Sequence, residues 1–126
     1  MQHAGSCHCG FVRFTVTAQI DHKRICNCSL CHKRGALIFR VPADVLRLDT
    51  PLDQLTHYQW GSQTAHDYFC PHCGILPFRR PSAPTAAERA AGVPDFTGWA
   101  INLPCLDGFD PRDLPTRHIP GRDIPL

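Results

Sequence analysis

Residues 11–17 read FVRFTVT, with Val12, Phe14 and Val16 alternating against Arg13, Thr15 and Thr17. A period of two in β-branched and aromatic residues predicts a strand with one buried face. Residues 22–26 form a second extended stretch. Ser29 can cap a helical turn over residues 30–34, and Gly35 sits where a left-handed residue would end it. Residues 36–41 predict a buried strand stopped by Pro42, and residues 45–48 fit a helical turn or a strand, the turn at 42–44 favouring the strand. Residues 55–60 and 65–70 are strand-like and joined by Gly61-Ser62-Gln63-Thr64, a connection of hairpin length. Residues 75–80 continue as a strand broken at Pro77 and ended by Pro81. The segment TAAERAA at 85–91 is the one extended helical pattern, closed by Gly92 and Pro94. Residues 96–102 predict a last strand. From Pro104 onward, five prolines in 23 residues predict an irregular tail.

Short strands between turns agree with twelve prolines and nine glycines spread along 126 residues. That length predicts a single domain, with a core over 5–108 and a Pro-rich tail over 104–126. The longest fully apolar run, residues 36–39, is far too short to span a membrane, and the first residues, MQHAGSCHC, carry no apolar signal-peptide core. Thirteen basic and eleven acidic side chains give a formal charge of +2, too balanced for a dedicated nucleic-acid binder. Eight cysteines without an export signal predict a reducing, cytoplasmic setting, where thiols bind metal or do chemistry more often than they form disulfides.

Seven of the eight fall into two constellations. Cys7-x-Cys9 and Cys70-x-x-Cys73 lie sixty residues apart. Side chains at i and i+2 of an extended segment share a face, so Cys7 and Cys9 can reach one ion while His8 points away. Cys70-Pro71-His72-Cys73-Gly74 has the form of a zinc knuckle, its glycine able to turn backbone N–H groups toward sulfur. Four thiolates make a closed tetrahedral zinc site, expected to be structural. The second constellation is local: Cys26-Asn27-Cys28-Ser29-Leu30-Cys31 gives three thiolates in six residues. Three protein ligands and an open position are the arrangement of a catalytic zinc, able to take water or a substrate thiol and hold that thiol ionised. The alternative is a second structural site completed by His22, His32 or Cys105. Ferredoxin-type iron–sulfur ligation is not supported by C-x-C steps. Cys105 by itself reads as a packing residue.

The remaining candidates have plain readings beside functional ones. His8, His32 and His72 sit beside cysteines, while His57, His66 and His118 belong to no motif. Trp60, Trp99, Tyr58 and Phe69 read as core or pocket wall. Lys23, Arg24, Lys33, Arg34, Arg40, Arg79 and Arg80 form the most basic stretches. Lys33 and Arg34, directly after the three-cysteine loop, are the candidate substrate-binding cations, and the others read as a solvated face.

GSCHCGFVRFTV at residues 5–16, CNCSLCHKRGAL at 26–37, LTHYQW…FCPHCG at 55–74 and NLPCLDG at 102–108 together resemble the glutathione-dependent formaldehyde-activating enzyme (GFA) family, with its centromere protein V relatives. The resemblance implies a mainly β, Mss4-like zinc-binding fold with one or two short helices and two Zn2+ ions. By position, Cys7, Cys9, Cys70 and Cys73 match the structural ligands, and Cys26, Cys28 and Cys31 the catalytic or exchangeable ones. The implied reaction joins formaldehyde and glutathione to S-hydroxymethylglutathione and is classed in reverse as a carbon–sulfur lyase. A small thiol and a small aldehyde are then the expected partners; no membrane is involved, nucleic acid is disfavoured, and association into a homo-oligomer stays open. A zinc-stabilised binding module and a thiol-sensing or metal-exchange protein are the alternatives without turnover. Loading seven thiolates with two zinc ions would take the formal +2 to about −1, so much of the basicity is counter-charge to the metal sites.

Overall fold

A computed structural model describes residues 1–123; residues 124–126 of the tail lie outside the described residues. The described residues are mainly β, with ten strands in two sheets and two short helices. Strands β1 (Gln2–Ser6), β2 (Arg13–Thr17) and β5 (Leu46–Leu48) make an antiparallel three-stranded sheet in the order β1-β2-β5. The others are β3 (Lys23–Cys26), β4 (Ile38–Val41), β6 (Thr56–Tyr58), β7 (His66–Phe69), β8 (Phe78–Arg80), β9 (Trp99–Asn102) and β10 (Thr116–Ile119). They form a seven-stranded sheet in the order β10-β3-β4-β9-β8-β7-β6. No helix among the described residues is long and apolar enough to cross a membrane.

The alternation in residues 11–17 does what its period requires. Val12, Phe14 and Val16 are buried, while Arg13 and Thr17 face solvent. Phe14 meets Phe78 of the larger sheet edge-to-face, ring centroids 5.5 Å apart, and Phe78 meets Trp99 the same way at 5.3 Å. Burying side chains of this size contributes about 1.5–3 kcal/mol each, and this aromatic seam holds the two sheets together.

The register of the larger sheet sorts its two faces. Phe39, Ile101, Phe78 and Tyr68 pair in a row across β4, β9, β8 and β7 and turn toward the core. One residue along, Arg40, Ala100, Arg79, Asp67 and Tyr58 pair in a second row, extended to β6. Because side chains alternate, this polar row lies on the face away from the aromatic seam.

Helix α1 (Ser29–Arg34) forms where expected, but its cap is Cys28 rather than Ser29: the Cys28 sulfur accepts the Cys31 N–H at 3.4 Å. Gly35 ends it with φ of 65°. Helix α2 (Ala86–Ala90) starts at a capping box, Thr85 and Glu88 each accepting the other's backbone N–H at 3.1 and 2.9 Å.

Two strands depart from the pattern reading. β1 carries no hydrophobic alternation and is created by pairing with β2. Gly5 lies there against the Phe14 ring with no room for a Cβ. The tail is not irregular throughout: β10 joins the sheet edge parallel to β3, with Ile119 opposite Cys26. Lys23 explains its attachment. Only 8% exposed, its ammonium donates to the carbonyls of Pro111, Arg112 and Leu114 at 3.2, 2.8 and 2.6 Å. A buried cation satisfied by three carbonyls of one segment fastens that segment in place.

Candidate metal centres and cavity

The first constellation assembles from the turns after β1 and β7. Cys7, Cys9, Cys70 and Cys73 bring their sulfurs within 4.8 Å of one another. Cys7 and Cys9 lie 3.7 Å apart and Cys9 and Cys70 3.6 Å apart, close to the edge of about 3.8 Å in a tetrahedron with ~2.3 Å zinc–sulfur bonds. Each turn aims backbone donors at sulfur. Cys7 accepts the Val12 N–H at 3.3 Å, and Cys70 accepts those of His72 and Cys73 at 3.4 and 3.5 Å. Gly74, at φ 79°, makes the knuckle turn. The N–H of Ile75 leads the groups that pull the Cys73 thiol down to about 6. At Cys9 the N–H of Phe11 favours the thiolate, but burial and three neighbouring sulfurs outweigh it and push that thiol up to about 11. Four sulfurs this close cannot all be anionic on their own; a divalent cation removes the conflict, so the donor set fits zinc.

The second constellation sits where β3 runs into α1. Cys26, Cys28 and Cys31 gather their sulfurs within 4.8 Å, and no fourth histidine, cysteine or carboxylate joins them among the described residues. Burial first, and then Cys28, push the Cys31 thiol up to about 12. Cys28 is held below its usual value, burial being outweighed by hydrogen bonds led by that from the Cys31 N–H. This set too suits a dication.

The two sets differ in what lies beside them. Cys26, Cys28 and Cys31 open onto a cavity of about 460 Å³. Its floor is the polar face of the larger sheet, contributing Arg24, Ile38, Arg40 and Arg79. Trp60, Ala65 and residues 81–84 form one wall, and α2 with the following turn to Phe96 forms another. The tail supplies the last wall through Ile119, Gly121 and Arg122. Its hold on the cysteine loop is reciprocal: Asn27 N–H donates to the Ile119 carbonyl at 3.2 Å, and Arg122 N–H donates to the Asn27 side chain at 2.9 Å. A Cβ on Gly121 would collide with the Cys26 sulfur and come within 2.9 Å of the Cys28 Cβ.

Lys33 and Arg34 do not line this cavity. Lys33 is exposed on α1. Arg34 reaches Asp67, which is fully buried, at 3.6 Å, and Arg79 hydrogen-bonds the same carboxylate. Arg24 and Arg40, read from sequence as part of a solvated face, both line the cavity floor, Arg24 half-buried and Arg40 still exposed. Their signal was available only in combination: they flank the cysteine loop on two strands whose alternation puts 24, 26, 38 and 40 on one face. His8, His32 and His72 are exposed, His72 with its ring edge-on to Phe11 at 4.6 Å. His57 and His66 hydrogen-bond each other at 2.8 Å on the outer strands. Cys105 is partly buried, and burial pushes its thiol up to about 11.

The family model described as "glutathione-dependent formaldehyde-activating enzyme" matches residues 2–96. Among solved structures, the chain is similar to the crystal structure of a Rhodobacter sphaeroides protein, with TM-score 0.72 and 31% sequence identity. That match covers 93% of this chain and 100% of the other.

Proposed function

The chain belongs to the glutathione-dependent formaldehyde-activating enzyme family, and from that premise we propose that it adds a small thiol such as glutathione to formaldehyde or another small aldehyde. The observation that supports this best is the contrast between the two cysteine sets. One set has four sulfurs and joins two turns; the other has three and opens onto a cavity large enough for a tripeptide-sized thiol.

In this reading Cys7, Cys9, Cys70 and Cys73 hold a structural zinc, and Cys26, Cys28 and Cys31 hold the second ion. When bound at the three-cysteine set, zinc would supply the acidity that ionises a thiol near neutral pH. In the addition, the sulfur–hydrogen bond breaks, its proton passing to solvent, and a sulfur–carbon bond forms. The carbonyl π pair moves onto oxygen, which takes up a proton from solvent. The reverse releases aldehyde and thiol, the carbon–sulfur lyase direction. Arg24 and Arg40 keep the floor electropositive and favour an anionic thiol, while Arg79 is held by Asp67. Trp60, Pro84 and Phe96 give the cavity an apolar wall against which the carbon skeleton of the substrates would lie.

Cys28→Ser tests this division of labour. The zinc content should fall from two equivalents to one and turnover with glutathione and formaldehyde should disappear, while the circular dichroism spectrum stays that of the parent. An unfolded variant, or one with intact turnover, would overturn the assignment.

A further inference from the structure

We propose that Arg24 and Arg40 form a carboxylate subsite beside the three-cysteine set, so that the cavity selects thiols, or thiol–aldehyde adducts, that carry a free carboxylate. The proposal rests on the preceding functional reading and names the substrate class it takes.

The charges on the cavity floor are unevenly matched. Arg79 is neutralised by the buried Asp67, which Arg34 also approaches. Neither Arg24 nor Arg40 has a carboxylate within ion-pair distance among the described residues. The Nε of Arg24 is buried without a hydrogen-bond partner. The one acidic side chain lining the cavity, Glu88, is engaged in capping α2. Sheet register adds to the imbalance: Arg24 lies opposite Arg117 of β10, and like charges directly across a pair of strands are destabilising. Arg122 brings a further cation to the rim. A chain that gathers unpaired guanidiniums around an unpartnered buried donor gains most when an anion enters.

The same register places that anion. Arg24 and Cys26 are two residues apart on β3, which puts them on one face and roughly 7 Å apart along the strand. Ala100 stands between Arg40 and Arg79 in the cross-sheet row and is fully buried, packed with Ala36 and Ile38, so the floor of the cavity is offered by the arginine heads themselves. Arg40 lies over the Phe96 ring at 5.0 Å, which steers its head while leaving its donors free. A carboxylate favours such planar two-pronged donors, and the apolar wall beside them suits the carbon skeleton linking it to sulfur.

Calorimetric titration of the zinc-loaded protein with 3-mercaptopropionate and with its methyl ester tests the subsite without turnover. The wild type should bind the acid about tenfold or more tightly than the ester. Arg24→Met and Arg40→Met should each bring that ratio toward one with the ester affinity little changed, and Arg40→Lys should keep part of it. Arg47→Ala, an exposed charge on the other sheet, should keep all of it. Equal wild-type affinities for acid and ester would overturn the proposal, as would a ratio that survives Arg40→Met. Arg122→Met provides a rim variant should Arg24→Met fold poorly, and it too should lower the ratio. A preserved acid preference in a protein without turnover would sink the enzymatic reading alone; turnover without acid preference would sink the subsite alone.

Discussion

Gly121 packs the tail against the cysteine loop so tightly that a Cβ has no room. The smallest side chain added there must displace either the tail or Cys26. Gly121→Ala is therefore expected to cost about 1–3 kcal/mol in a urea melt, the usual range for overpacking, and to speed zinc release to a chelating dye from one of two sites. Unchanged release from both would show that the tail does not brace the loop. At this scale the cysteines were legible because a ligand set leaves a local spacing. Lys33 and Arg34 drew attention by adjacency to that spacing, yet the geometry of α1 carries one to solvent and the other to Asp67. Arg24, Arg40 and Arg79 come together only across strands, and no local spacing announces that.

Among the elements, those with a full pattern of their own were readable. β2 has alternation, α2 has its alanine-rich run closed by Gly92 and Pro94, and the β6–β7 hairpin has strand runs on either side of a short polar connection. β1 and β10 have none of these; each is an edge strand made by a neighbour's unpaired backbone, and prolines on both sides of β10 masked it further. For β10 the neighbour is reinforced by the Lys23 ammonium. Lys23→Met keeps the stem and removes the donors, leaving three carbonyls without that partner. It should cost about 1–3 kcal/mol and accelerate amide exchange in residues 116–119 while β2 and β9 stay protected. Exchange unchanged at 116–119 would mean that strand pairing alone holds the tail.

For the whole molecule, the two cysteine sets stand in different relations to the fold. The four-cysteine set joins the turn leaving β1, in the small sheet, to the turn between β7 and β8, in the large one. Its members Cys7 and Cys70 lie within the core itself. Stripping zinc with a strong chelator should then occur in two phases. The first equivalent should leave with little change in the far-ultraviolet dichroism, and loss of the second should coincide with a cooperative loss of structure. Simultaneous release with unfolding would show that both ions are structural.

The wall that Gly121 and Arg122 lend to the three-cysteine cavity also has a place in time. Cys26, Cys28 and Cys31 leave the ribosome long before residue 121, an interval of several seconds at roughly 5–20 residues per second. During that interval the cluster is complete as a set of sulfurs but lacks the segment that encloses it. A metal ion bound by these sulfurs could be taken up in the growing chain, before Ile119, Gly121 and Arg122 add the last wall of the cavity.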